Sequence, residues 1–211
     1  MKKLILLLTL LSIGTVLDAR PAYWQQFVHF EIDVRLDDQT NMLHGYEKMT
    51  YVNNSPDQLT YIYMHIWPNA YKNNSTALGK QLKENGELFF YYAKDEDRGY
   101  IDSLDWHVDG EMVPAEIDYK NPDIVKLLLR QPLMPVGQIV ITTPFRVKIP
   151  SGRISRLGHI KQQYQITQWY PKPAVYDVNG WNQMPYLNQG EFYSEFGTYD
   201  VCITLPKNYV V

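Results

Sequence analysis

Five histidines are the side chains of this 211-residue chain that could bind a transition metal: His29, His44, His65, His107 and His159. A hydrolytic zinc site of the His-Glu-x-x-His type needs two histidines four residues apart on one helix face, with a glutamate beside the first to activate water. No histidine in this sequence has another histidine four residues away. We therefore expect no zinc site here, and histidines that are satisfied by hydrogen bonds.

A second candidate is a segment that combines aromatic, proline and polar residues without the periodicity of a helix or a strand. It spans residues 165–177, with the sequence Gln-Ile-Thr-Gln-Trp-Tyr-Pro-Lys-Pro-Ala-Val-Tyr-Asp, and is followed by Gly180–Trp181. Irregular loops on a rigid scaffold carry binding and catalytic residues disproportionately. The pattern therefore indicates a surface that contacts a ligand or another domain.

The same segment resembles the zinc aminopeptidases of the membrane alanyl aminopeptidase type, which are gluzincins. In that family the N-terminal β-domain ends with a Thr-Gln segment, which leads into a Pro-containing loop with an acidic residue. The matching residues here are Thr167, Gln168, Pro171 and Asp177. Residues 190–193, 195–197 and 199–201 are also similar to the secreted bacterial branch, and the resemblance covers about residues 23–211.

The resemblance implies a substrate-binding role for Gln168, whose family counterpart reaches into the active-site cleft near the amino end of the substrate. Its amide offers an acceptor and two donors, which suits an ammonium group and a peptide carbonyl. The alternative is a glutamine that only caps local backbone. Trp169 and Tyr170 replace a small-residue stretch of the family, and we expect them to narrow the same pocket or to pack against the catalytic domain.

Three further residues of this region are expected at a domain interface: Tyr176, Asp177 and Trp181. For the aromatic residues, including Trp169, packing in the core or between domains is favoured because large aromatic side chains stabilise mainly through burial. Asp177 is expected to fix a turn or an interface contact rather than to perform acid–base chemistry.

The family's catalytic residues have no counterpart in this sequence, which contains neither His-Glu-x-x-His nor the Gly-x-Met-Glu-Asn segment that holds the substrate amine. The resemblance thus implies an N-terminal domain that covers the cleft of a zinc enzyme. Its partners would be a peptide substrate and a catalytic domain that supplies the zinc. Residues 21–211 alone are expected to be inactive, without a cofactor. Because the chain stops directly after a strand, we also expect a fragment of a longer protein.

The first twenty residues are typical of a secretory signal, with Lys2 and Lys3 before an apolar run from Leu4 to Leu17. An uncleaved N-terminal anchor is the alternative. The single cysteine, Cys202, excludes an intrachain disulfide, and export without disulfides favours a periplasmic or extracellular bacterial protein. A net charge of -3 argues against nucleic acid or an anionic membrane as the main partner. No stable membrane anchor is expected.

Alternation of apolar and polar residues predicts an all-β fold, saddle- or sandwich-like, with mostly antiparallel sheets. Strands are predicted at the following positions: 28–36, 43–52, 59–67, 125–129, 139–149 and 199–205. A hairpin with a type I′ turn is predicted at Asp109–Gly110. One short helical insertion is predicted near 75–85, where apolar residues recur four apart after a Ser/Thr cap. Residues 87–93 could be helix or strand.

Two alternatives from other functional classes remain open at this point. A secreted carbohydrate-binding β-sandwich would need two or three coplanar aromatic side chains exposed on one face. The tryptophans available for such a platform are Trp24, Trp67, Trp106, Trp169 and Trp181. A stand-alone interaction domain would be soluble and monomeric, with little exposed apolar surface.

Overall fold

Strands are the main regular secondary structure in the computed structural model, which describes residues 23–210. The strands in this range are β1 (Phe27–Asp37), β2 (Met42–Val52), β3 (Leu59–His65), β4 (Tyr100–Asp102), β5 (His107–Val108), β6 (Glu111–Met112), β7 (Ala115–Ile117), β8 (Ile124–Leu133), β9 (Gln138–Lys148), β10 (Gly158–Ile160), β11 (Gln163–Gln165), β12 (Lys172–Pro173), β13 (Val175–Asp177), β14 (Gly180–Asn182) and β15 (Gly197–Thr204). Two helices, α1 (Ala77–Glu84) and α2 (Phe89–Tyr92), and two 3-10 turns, Trp67–Tyr71 and Asp95–Asp97, complete the described elements. The predicted all-β class is confirmed.

The strands form several open sheets, most of them antiparallel. The larger main sheet has the order β15-β1-β2-β9-β5-β6, with β4 also paired to β9. Within it β1, β2 and β9 are antiparallel neighbours, whereas β15 lies parallel to β1 at the edge. The smaller main sheet has the order β12-β3-β8-β7, and two-stranded ribbons are formed by β10-β11 and β13-β14.

The alternation seen in the sequence decides which side chains fill the core. Along β1 the buried residues are Val28, Phe30, Ile32, Val34 and Leu36, and their neighbours point outward. The inner faces of the two main sheets meet in one hydrophobic cluster, to which α1 also contributes. This period of two is the physical reason that strand positions could be predicted from the sequence.

Local signals account for the predicted helix and the predicted hairpin. The side chain of Thr76 caps α1 by accepting a hydrogen bond of 3.1 Å from the backbone N–H of Gly79. Asp109 and Gly110 have φ angles of 50° and 82°, as a type I′ turn requires. The strand predicted to reach Trp67 ends at His65, because the chain enters the Pro68-containing 3-10 turn.

The expectation of a single helical insertion was incomplete, because the structure adds the one-turn helix α2 within the segment left open. Only Phe90 of this helix is buried. The guanidinium of Arg98 lies 4.6 Å from the centroid of the Phe90 ring and donates a 3.1 Å hydrogen bond to the Phe90 carbonyl. These contacts come from Arg98, which lies outside α2. The periodicity of the sequence therefore does not predict this helix.

The predicted signal segment, residues 1–20, lies outside the described residues. Between residues 23 and 210, no helix has the length and apolar character that a membrane span requires.

Gly45 and Phe145 are cross-strand partners on β2 and β9, and the Phe145 ring covers the Gly45 backbone. A Cβ atom at Gly45 would overlap this ring, so only glycine allows the close approach. Phe145 is fully buried, and its ring centroid lies 5.9 Å from that of Trp169. The glycine therefore affects the packing beneath a predicted site residue.

We predict that Gly45→Ala lowers the free energy of unfolding by about 1–3 kcal/mol, because the added methyl group overpacks the core. Urea denaturation measures this change. In a Phe145→Leu background the smaller side chain should reduce the cost of Gly45→Ala. An equal cost in both backgrounds would show that the Phe145 ring is not the cause.

Candidate functional site

The aromatic and proline-rich loop is attached to the smaller main sheet by β12. Lys172 and Pro173 pair with His65 and Met64 of β3, and the backbone N–H of Ala174 donates to the Tyr63 carbonyl at 2.8 Å. A proline is compatible with this position because β12 lies at the sheet edge, where a missing donor leaves no ladder unpaired. The pairing places Gln168 and Lys172 beside the buried end of β3.

Gln168 has an unusual backbone conformation, with a φ angle of 53°. The left-handed region is uncommon for residues other than glycine. Five other non-glycine residues of the described range also occupy it, so the conformation by itself marks a constrained backbone and not a functional site. The side chain is half-buried, and its Oε1 accepts a hydrogen bond from Nζ of Lys172. Gln168 is therefore positioned by its own loop rather than free to move as a surface side chain.

Lys172 is a buried cation, only 7% exposed, and it forms no salt bridge with any described residue. Its Nζ lies 4.1 Å from the centroid of the Trp67 ring and 5.9 Å from that of Tyr170. These aromatic faces and the Gln168 oxygen are the contacts that stabilise the charge. Burial lowers the pKa of Lys172 to about 8.

His65 belongs to the same cluster and is neutral at pH 7. Its ring stacks on Trp67 with centroids 4.6 Å apart, and its Nε2 accepts a 3.2 Å hydrogen bond from the backbone N–H of Met184. Burial, together with the nearby charge of Lys172, lowers the pKa of His65 to about 3. As predicted for the histidines, His65 is hydrogen-bonded in the core, although its Nδ1 has no partner among the described residues.

Two further buried side chains hold the backbone of residues 184–186 against the sheet. Trp67 donates from its indole N–H to the Met184 carbonyl at 3.1 Å. Asp123 accepts a 2.6 Å hydrogen bond at Oδ2 from the backbone N–H of Tyr186. Burial raises the pKa of Asp123 to about 6. The segment that follows β14 is thus held by hydrogen bonds to buried side chains.

The other predicted substrate-binding residues, Trp169 and Tyr170, pack on the larger main sheet and are half-buried. Tyr170 contacts Phe30 edge-on at 5.5 Å between centroids, and its hydroxyl donates to that of Tyr199 at 3.1 Å. Burial raises the pKa of Tyr170. Trp169 lies beside Tyr170 at 5.3 Å between centroids and lines a groove of about 520 Å³.

The predicted interface residues lie apart from Gln168, on the ribbon formed by β13 and β14. The Tyr176 hydroxyl donates to Oδ2 of Asp57 at 2.8 Å. The Trp181 ring packs beside Tyr61 of β3, with centroids 6.1 Å apart. Asp177 accepts a 2.8 Å hydrogen bond at Oδ1 from the backbone N–H of Asn179, so this carboxylate fixes the turn between the two strands.

Sequence reasoning did not single out Lys172 or Asp123 as site residues, and it named Trp67 only as part of a carbohydrate-binding platform. A lysine between two prolines within an aromatic run was the one signal that could have drawn attention to Lys172. The hydrogen bonds of Trp67 and Asp123 join residues more than sixty positions apart in the sequence. Nothing in the local sequence patterns therefore marks these two residues.

The tryptophans do not form a sugar-stacking platform in the described residues. Trp67 and Trp106 are buried, at 1% and 5% exposure. Trp24, Trp169 and Trp181 are half-buried, and the planes of Trp181 and its neighbour Tyr176 are inclined by 60°. The placement therefore does not favour the carbohydrate-binding alternative. Across residues 23–210, no three His, Cys, Asp or Glu side chains come together as a metal site.

Comparisons with known proteins gave similarities to solved structures only. No protein-family model matches the chain, and no curated protein matches it. The M1 zinc metallopeptidase from Deinococcus radiodurans superposes with a TM-score of 0.42 at 14% identity over 88% of this chain, and a mutant of that enzyme gives the same score and identity over 87%. A mutant of that enzyme bound to a Tyr-Ser-Ala substrate gives 0.41 at 13% identity. This chain spans about a third of those chains, with 32% or 33% covered.

We predict that Asp123 makes stability fall as the pH rises. Its folded-state pKa of about 6 lies above the ordinary value of 3.8, so the folded protein binds the proton more tightly. The favourable contribution of Asp123 to the free energy of unfolding is complete below pH 4 and is lost as the pH rises through 6. Relative to Asp123→Asn, the wild type should lose about 3 kcal/mol between these limits.

Urea denaturation of both proteins across this pH range measures the difference. Asp33→Asn, at an exposed position, controls for the loss of one carboxylate. A difference between wild type and Asp123→Asn that does not change with pH would show that the buried carboxyl group is not coupled to folding.

Proposed function

We propose that this chain is the N-terminal domain of an exported zinc aminopeptidase-like protein, in which it covers the substrate cleft. In this proposal Gln168 contacts the peptide at its free amino end. One observation carries the proposal: Gln168 has a left-handed backbone and an amide held by a buried lysine. The Thr-Gln resemblance selects the same residue independently of this geometry.

The strained conformation supports a binding role rather than a capping role. A non-glycine residue in the left-handed region costs about 1–3 kcal/mol and persists only where the surrounding structure imposes it. A glutamine that only capped local backbone would bond to backbone groups, whereas Gln168 Oε1 bonds to the Lys172 ammonium. The result is a half-exposed amide in a fixed orientation, which is the preorganisation that ligand binding favours.

Exposed apolar residues at the edge of the larger main sheet support the proposal that a large apolar partner binds there. Three residues of β15 stay exposed at this edge: Tyr199 at 44%, Val201 at 43% and Ile203 at 52%. Ile203 also borders the apolar groove beside Trp169. An apolar sheet edge of this kind is typical of an interface, and we assign it to the catalytic domain. Hydrolysis by zinc-activated water would take place in that domain.

A stand-alone interaction domain is the second candidate, and the exposed apolar edge of β15 counts against it, because such a domain is expected to expose little apolar surface. The two candidates differ at Gln168, because only the aminopeptidase-like protein needs this side chain to contact a peptide.

We predict that trialanine shifts the backbone NMR signals of residues 166–172 in the ¹⁵N-labelled chain. Binding should be weak, at roughly millimolar Kd or about −4 kcal/mol, because most contacts belong to the catalytic domain. Gln168→Ala should abolish the shifts, since it removes the amide.

Tyr119→Ala is the control variant, because Tyr119 is 98% exposed and lies outside the loop. It should bind trialanine as the wild type does. Shifts that persist in Gln168→Ala, that map to other surfaces, or that are absent from the wild type would each contradict a peptide-binding role for Gln168.

A further inference from the structure

The connection between β9 and β10 carries two arginines that form no ion pair. Arg153 and Arg156 have no carboxylate within salt-bridge distance among residues 23–210. The Arg153 guanidinium lies over an aromatic ring instead, 4.9 Å from the centroid of Phe89. The Arg156 guanidinium lies 5.6 Å from the centroid of the Phe192 ring. Both arginines are exposed, so their donors are accessible to a ligand.

Three hydroxyl groups meet beside Arg156, and we call them the hydroxyl cluster. Oγ of Ser155 lies 3.0 Å from the hydroxyl of Tyr71 and 3.2 Å from that of Tyr186. Burial raises the pKa of Tyr71, and the positive charge of Arg156 partly opposes this rise. The guanidinium of Arg156 is therefore close enough for its charge to act on the hydroxyl cluster.

The hydroxyl cluster holds one proton more than its own hydrogen bonds use. Three hydroxyl groups carry three protons, whereas the two contacts of Ser155 use two of them. Tyr71 and Tyr186 are each 1% exposed, and Ser155 is half-buried. A free proton on either tyrosine would be a buried unpaired donor, which is costly. Ser155 therefore accepts from both tyrosines, and its own O–H is left to donate to a ligand.

The backbone at the hydroxyl cluster adds further donors. The N–H groups of Ser155, Arg156 and Leu157 donate to no acceptor among residues 23–210. Leu157 is 0% exposed, and a buried backbone N–H without a partner is rare in folded proteins. Successive N–H groups at a bend of the chain form binding sites for anions. Side-chain and backbone donors of three consecutive residues thus await an acceptor.

We propose that Ser155, Arg156 and Leu157 form a binding site for an oxyanion, which is a carboxylate or a phosphate group. The guanidinium supplies the charge and two parallel N–H donors, which match two oxygens of either group. The Ser155 hydroxyl and the Leu157 backbone N–H supply the remaining donors. The site lies outside the loop that carries Gln168, and it does not depend on the proposed function.

Titration of the ¹⁵N-labelled chain with sodium acetate and with sodium phosphate, at fixed pH, tests this site. Sodium chloride at equal ionic strength is the reference. At least one oxyanion should shift the backbone signals of residues 155–157 saturably, at roughly millimolar Kd, and chloride should not. A response to acetate alone assigns the site to carboxylates, a response to phosphate alone assigns it to phosphates, and a response to both shows that either group fits.

Arg156→Gln should weaken the binding about tenfold or more, because it removes a hydrogen-bonding charge. Arg156 is exposed, so this variant keeps the fold. Arg153→Gln is the matched control, since it removes the same charge from the same connection but at Phe89, away from the hydroxyl cluster. It should leave the affinity nearly unchanged. Ser155→Ala should weaken the binding about fivefold, because one neutral donor is lost.

Three results would overturn the inference. The first is the absence of a saturable shift at residues 155–157 with both oxyanions. The second is an equal shift with chloride, which would show an effect of ionic strength alone. The third is an equal loss of affinity in Arg153→Gln and Arg156→Gln, which would show that the net charge attracts anions without a defined site.

The proposed function fails by a different result. Trialanine ends in a carboxylate, so it should also shift residues 155–157, whereas trialanine amide, which has no carboxylate, should shift residues 166–172 alone. Unshifted signals at residues 166–172 with both peptides would contradict the role of Gln168. Acetate and phosphate would still report on the site at residues 155–157.

Discussion

The burial of one lysine ammonium without a carboxylate is the constraint on which the candidate site depends. Removing a charge from water is costly unless other groups replace its hydration. Around Lys172 the replacements are the Gln168 oxygen and the faces of Trp67 and Tyr170. The lowered pKa of Lys172, about 8, shows that this compensation is partial. The loop must therefore keep Gln168 in its strained conformation, since the oxygen is the most polar partner the ammonium has.

The rest of the structure supplies the frame for that contact. β12 holds Lys172 on the edge of β3, and the hydrogen bonds of His65, Trp67 and Asp123 hold residues 184–186 behind it. On the other side, Trp169 packs against Phe145. The Phe145 ring can take this position because Gly45 has no side chain. The irregular loop is thus packed between the two main sheets by side chains that are themselves buried, and its half-buried Gln168 side chain is held by Lys172.

The predictions from sequence succeeded where the cause is local. The period of two fixed the positions of β1, β2 and β9, the Asp109–Gly110 pair predicted its turn, and Thr76 predicted the start of α1. Gln168 was selected through a resemblance and its role stays a prediction, because no local pattern marks a left-handed glutamine. Lys172 and Asp123 were missed, and Trp67 was named only for a carbohydrate-binding platform, since the contacts of all three arise from neighbours that only the folded chain brings together.

The gene beyond the codon for Val211 offers the most direct test that this chain is one domain of a zinc aminopeptidase-like protein. The sequence of that DNA should encode a His-Glu-x-x-His motif within about 100–150 codons, the length of a typical domain. Such a motif would supply zinc ligands in a second domain. The zinc there would hydrolyse the peptide that Gln168 is proposed to contact. A stop codon, with no such motif in any downstream frame, would contradict this assignment and favour the stand-alone interaction domain.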